Sequence, residues 1–169
     1  TYEYMYVYYG EVMEINKIEQ ELLKLINKAK DKNEVPIAAL IVKNDKIISK
    51  SYNKVNKSNN ILDHAEILVI KKVSKKLHNW RLDDCDLYVT LEPCSMCAGA
   101  IINSRIKKVY IGTMDEKTGA VGSVLNLFED YTFNHKVEVE KGIMEKECQD
   151  IIKKFFRELR KIKRGGKNV

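Results

Sequence analysis

Long apolar stretches are missing from this chain. No run approaches the ~20 residues that a helix needs to cross a bilayer, so no membrane-spanning helix is expected. The start shows no charged region followed by an apolar stretch and a small-residue cleavage site, so no secretory leader is expected either. Thr1 rather than Met opens the sequence, which reads as a processed product or a piece of a longer protein. Internal repeats are absent, and 44% hydrophobic with 32% charged residues excludes a disordered chain. Proline is limited to two residues, Pro36 and Pro93, each at the edge of a periodic segment. Cysteine is limited to four. Two stand in one Cys-x-x-Cys, and Cys85 and Cys148 read as buried free thiols, a usage that suits a reducing, cytoplasmic compartment and leaves an organellar one open.

What is present is a single domain's worth of chain with a formal net charge of +6. The surplus is concentrated near the end, where Lys153, Lys154, Arg157, Arg160, Lys161, Lys163, Arg164 and Lys167 face one acidic residue, Glu158. Such a stripe is either a solvated helix face or the footprint of a phosphate backbone. Near the start, Thr1 to Tyr9 is rich in tyrosine and reads as an edge strand or a helix extension; a base-stacking arm is the functional alternative. Residues 1–13 are taken as an extension, 14–163 as the domain and 164–169 as a basic tail.

Ile15, Ile18, Leu22, Ile26 and Ala29 recur at helical spacing over 14–31. Strands follow at 37–42 and 46–52 around an Asn44-Asp45 turn, forming a hairpin. A polar loop at 53–62 leads to a helix ending near Lys76, with Asp63 as its expected N-cap. Further strands are expected at 86–91, 107–112 and 136–140, and helices at 95–103, 123–128 and 145–162. The order predicts an α/β fold with a mostly parallel core of five strands between helices on both faces.

Two short motifs carry the chemistry. His64-Ala65-Glu66 supplies an imidazole and a carboxylate, and Pro93-Cys94-Ser95-Met96-Cys97 supplies two thiolates. A Cys-x-x-Cys by itself is weak evidence, since it also occurs in redox pairs and in halves of structural zinc sites. A closed site needs a fourth ligand, and Cys85, Cys148, His78 and His135 are the remaining candidates, none in a second paired motif. Three protein ligands and one open position define a catalytic zinc site, at which a bound water loses its proton near neutral pH. Glu66 is then placed to carry protons. Together these elements form the H-x-E…P-C-x-x-C signature of zinc nucleobase deaminases.

The run Tyr88-Val89-Thr90-Leu91-Glu92-Pro93-Cys94-Ser95-Met96-Cys97-Ala98-Gly99-Ala100 closely resembles the tRNA adenosine deaminases of the bacterial TadA type. Asn103-Ser104-Arg105-Ile106, Lys117-Thr118-Gly119-Ala120, Phe133-Asn134-His135 and Phe155-Phe156-Arg157 resemble them too, so the likeness spans roughly 14–160. It implies a three-layer α/β/α cytidine deaminase-like fold around a five-stranded mixed sheet. It also implies hydrolysis of adenosine to inosine at the first anticodon position of tRNA, with one zinc ion per subunit. His64, Cys94 and Cys97 would hold the zinc, and Glu66 would move protons from water to the base and to the leaving ammonia. Asn53 and the Ala65 N–H would contact the base or ribose. Asp115, Lys154, Phe155 and Arg157 would meet the anticodon stem-loop, and the subunits would form a homodimer. Taken as residues alone, Asn53 reads as a turn residue, Asp115 as a loop carboxylate and Phe155 as core packing. Where the family carries Val-Gly, this chain has Ile37-Ala38, and the Ala38 methyl is expected to narrow the zinc pocket. Two alternatives remain: a deaminase of free cytosine, guanine or dCMP, and a non-catalytic RNA-binding paralogue, against which the presence of Glu66 argues.

Overall fold

The computed structural model describes residues 2–166, with side chains from residue 17 onward. The side chains of the tyrosine-rich start, and the tail from Lys167, lie outside the described residues. In chain order the elements are α1 (Tyr2–Asp31), β1 (Ala38–Lys43), β2 (Lys46–Tyr52), α2 (Val55–Ser58), α3 (Ala65–Leu77), β3 (Asp86–Leu91), α4 (Ser95–Asn103), β4 (Lys108–Thr113), β5 (Glu138–Lys141) and α5 (Glu145–Gly165). The first helix therefore begins well before residue 14, and the polar loop after β2 contains the single turn α2.

The five strands lie in the order β2-β1-β3-β4-β5. β1 pairs antiparallel with β2 and β3, while β3, β4 and β5 pair parallel. Only β1 runs against the other four. The hairpin imposes this reversal: Asn44 and Asp45 both hold left-handed φ of 50° and 59°, the geometry a two-residue turn requires and short polar side chains tolerate. The sheet is thus mixed, as the resemblance implies, with β3, β4 and β5 as its parallel part.

Strand alternation divides the core into two layers. Ala39 and Ile41 of β1, with Leu87, Val89, Val109 and Ile111, face Val69 and Val73 of α3 and Ala98, Ile101 and Ile102 of α4. Ala38 and Leu40 face the other way, against Ile18, Leu22, Leu25 and Ile26 of α1, with Ile151 of α5 packed alongside. The result is the expected three-layer arrangement with helices on both faces. Ala38 consequently packs beneath α1 and does not narrow the pocket. At the outer strand β2, Lys72 and Lys76 of α3 donate from Nζ to the backbone oxygens of Lys50 and Ile48, at 2.9 and 3.4 Å.

Residues 123–128 do not form the expected helix. They run through turns with an isolated antiparallel bridge between Val121 and Asn126. The N–H groups of Val121 and Ser123 donate to the Glu92 carboxylate, and that of Phe128 donates to Asn126 Oδ1. The Leu127 N–H donates to the Ala120 oxygen at 2.9 Å, so it and the Phe128 N–H, which a helix here would bond four residues back, are engaged elsewhere. At α3 the N-cap is His64, not Asp63.

Candidate active site

Because β2, β3 and β4 point the same way, their C-terminal ends open onto one edge of the sheet. The N-termini of α3 and α4 meet there, the usual place for a ligand in an open α/β sheet. A cavity of about 960 Å³ occupies this edge. Its floor includes Asn53, His64, Ala65, Glu66, Glu92 and Cys94, one wall is the loop from Thr113 to Thr118, and the mouth is lined by α5.

His64 and Cys94 occupy the N-cap positions of their helices in extended backbone conformation, and neither makes a side-chain capping bond. Replacing a good capping residue costs about 1 kcal/mol. Here both side chains turn instead toward each other and toward Cys97. The ligand atoms of His64, Cys94 and Cys97 lie within 4.8 Å of one another, forming a candidate metal cluster. In a tetrahedron with Zn–N ~2.0 Å and Zn–S ~2.3 Å, nitrogen and sulfur ligands stand about 3.5 Å apart. His64 Nδ1 lies 3.5 Å from Cys97 Sγ and 3.7 Å from Cys94 Sγ. The donor set, two sulfurs and an imidazole, suits zinc as well. Cys85, Cys148, His78 and His135 do not join this cluster.

The charges at the site are strongly coupled. The Cys97 thiol, with His64 beside it, holds the Cys94 sulfur down to about 4, so Cys94 is a thiolate. Cys97 is pushed up by the same hydrogen bond and by burial. His64 is raised by its bond to Cys94. Glu66 is 4% exposed, and burial drives its carboxyl up to about 7.

The other expected residues are placed unevenly. Asn53 is buried, its Oδ1 accepting the Val55 N–H at 2.9 Å, and it lines the floor with Ala65. Asp115 lines the wall, but its carboxylate accepts bonds from the N–H groups of Lys117 and Thr118 and from the Thr118 hydroxyl, and so shapes its own turn. On α5, Gln149, Ile152, Lys153, Phe156, Arg157 and Arg160 form the cavity face. Lys154 and Phe155, expected there, fall off that face by helical rotation; Phe155 instead meets Phe156 edge-on at 5.3 Å. Lys153 and Arg160 belong to the basic stripe read from the sequence and Phe156 to the Phe155-Phe156-Arg157 motif, but none was named as a site residue, although their spacing from Arg157 marks one helical stripe. Glu92 was missed as well.

The MafB19-like deaminase family matches residues 13–160. The tRNA-specific adenosine deaminase of Bacillus subtilis (strain 168) is 45% identical over 148 residues, covering 88% of this chain and 92% of that protein. Its counterpart in Rickettsia bellii (strain RML369-C) is 45% identical over 143 residues, 83% of this chain and 99% of that one. A solved structure from biochemical and structural studies of A-to-I editing by tRNA:A34 deaminases at the wobble position of transfer RNA superposes with a TM-score of 0.77. It is 39% identical and covers 80% of this chain and 99% of that chain.

Proposed function

This chain belongs to the tRNA-specific adenosine deaminase family, and from that premise we propose that it hydrolyses adenosine to inosine at the wobble position of tRNA. The observation that carries the reading is the arrangement of one cavity. A buried carboxylate lies on its floor with His64 and Cys94 of the three-residue cluster, Cys97 being buried behind them, and Lys153, Arg157 and Arg160 stand at its mouth. That division suits a single base inside with its phosphates outside. A base stacked in a duplex cannot reach such a floor, whereas an anticodon loop already offers unstacked bases.

His64, Cys94 and Cys97 are the proposed zinc ligands; when bound, the ion makes a water molecule acidic enough to act as a nucleophile near neutral pH. Glu66 would accept one proton from a water attacking C6 and deliver it to N1 of the base, then accept the second from the new C6 hydroxyl and deliver it to the amino group, so that ammonia leaves as the C6 carbonyl forms. Its ability to do both follows from a carboxyl held near pH 7 by burial. Asn53 is assigned to the base or ribose through its Nδ2, since its Oδ1 is engaged by Val55. The Ala65 N–H at the first turn of α3 is assigned to the base edge. Arg157, with Lys153 and Arg160, holds phosphate oxygens.

The partner proposed beyond tRNA is a second copy of this chain. Ile61 and Leu62, 67% and 52% exposed just before the ligand His64, offer an apolar surface in support. No helix among the described residues is long and apolar enough to cross a membrane. The reading extends to the cytoplasm as the place of action, supported by the free thiols Cys85 and Cys148.

The test is inosine formation on an anticodon stem-loop transcript with adenosine at the first anticodon position, beside free nucleosides and a chelator-treated sample. Inosine at that position, abolished by chelation, is the expected result. Turnover of a free base or nucleoside with no RNA product overturns the proposal.

A further inference from the structure

Glu92 stands at the end of β3, 3% exposed, and no cation pairs with it among the described residues. An unpaired buried carboxylate is costly unless hydrogen bonds replace its hydration. Here the donors all come from one loop. Oε1 accepts the Asp115 N–H at 2.9 Å and the Ser123 hydroxyl. Oε2 accepts the N–H groups of Val121 and Ser123 at 2.9 and 3.1 Å. Both oxygens are therefore spent on the segment from Asp115 to Ser123, whose first half is the cavity wall.

Gly119 is built around the same carboxylate. A Cβ at this residue would lie 2.2 Å from the carboxyl carbon of Glu92, so no other side chain fits without displacing it. The backbone of Ala120 adds a bond to the Pro93 oxygen at 2.9 Å, tying the loop to the start of the Cys-x-x-Cys turn. The wall is thus hung on one side chain.

We propose that Glu92 is a positioning residue: its carboxylate, in the space left by Gly119, holds the Asp115–Ser123 loop as the pre-formed wall against which the RNA substrate docks. It rests on the tRNA deaminase reading for its substrate, but the loop's order is measurable without any RNA. Glu92 governs substrate binding, while Glu66 governs the chemical step.

Glu92→Gln keeps the shape and turns an NH2 group toward N–H donors. Hydrogen bonds to charged groups are strong enough that KM for the stem-loop should rise on the order of tenfold or more. The expected kcat stays within about threefold, as for a change in ground-state and transition-state binding alike. Zinc content should stay unchanged, and hydrogen exchange should accelerate at the amides of Asp115, Val121 and Ser123 but not in α3 or α4. Gly119→Ala should reproduce the same pattern with the charge retained. If Gln at this position prevents folding, Ser123→Ala removes one of the four bonds and should raise KM roughly threefold. Unchanged KM in the folded variants, or a collapse of kcat at constant KM, overturns the proposal. Wild-type protein that orders this loop through Glu92 yet turns over only free nucleosides refutes the RNA reading while leaving the clamp standing.

Discussion

Replacing Glu66 by Gln tests the chemistry most directly. The amide matches the carboxylate in size, so the neighbouring ligands His64, Cys94 and Cys97 keep their packing, and only the proton-accepting charge is lost. General acid–base catalysis contributes ~10²–10⁴-fold, or ~3–5 kcal/mol of barrier. The structure argues for the upper end because Glu66 is the buried carboxylate beside the ligand cluster, and two other carboxylates of the cavity, Glu92 and Asp115, are committed elsewhere. Both oxygens of Glu92 are engaged by its loop, and both oxygens of Asp115 by its own turn. In the proposed reaction one group also serves two proton transfers, so its loss would be felt at attack and at departure of ammonia. We expect single-turnover inosine formation to fall by about 10⁴-fold. Stem-loop affinity should be unchanged, and zinc, measured by elemental analysis, should remain at the wild-type content. Activity within tenfold of wild type at full zinc occupancy would show that another group carries the proton, and would refute the assignment.

Three further outcomes follow from the same geometry. Dialysis against a strong chelator under reducing conditions should abolish turnover and lower the melting temperature, and zinc should restore both; full activity in metal-free protein would dismiss the cluster as a metal site. Arg157→Ala and Arg160→Ala should each weaken stem-loop binding and flatten its salt dependence by about one counterion. Lys154→Ala, off the cavity face, should leave the salt slope unaltered, and equal effects at all three positions would contradict the assigned face. Ile101→Ala hollows out a fully buried site between α4 and the sheet, and should cost about 2–5 kcal/mol in denaturant unfolding. A loss below 1 kcal/mol would mean that the core closes over the gap.

Much of the site was legible because its signals are local. Strand β3 and helix α4 match their expected limits, with Pro93 marking the break between them. The proposed ligands sit at helix starts, so reading the elements was nearly enough to bring them together. The hairpin was legible too, since Asn44 and Asp45 tolerate the positive φ its turn needs. What escaped depended on distant partners. Val124, Leu125, Leu127 and Phe128 imitate a helical pattern, but the Ala120 oxygen and Asn126 Oδ1 take the Leu127 and Phe128 N–H groups that a helix would use, while Glu92, 31 positions before Ser123, holds the start of the segment. The side of the sheet to which Ala38 points is set by strand parity relative to α1, and the sequence leaves that parity open. The same holds for α5. Its basic and apolar residues announce an amphipathic helix, yet which stripe meets the cavity depends on how Ile151 packs against the sheet.

The lysines along β2 bear on how the protein keeps company with itself. An outer strand paired on one side is a template for a foreign strand, and a sheet that recruits one aggregates. Lys72 and Lys76 lay their ammonium groups on the oxygens such a strand would need, so an intruder must displace a charge at every second residue. The opposite border, β5, is only four residues long and carries Glu138, Glu140 and Lys141. With both borders closed to strand addition, self-association is channelled to the faces formed by helices and loops, and the sheet remains five strands wide even when the protein is crowded.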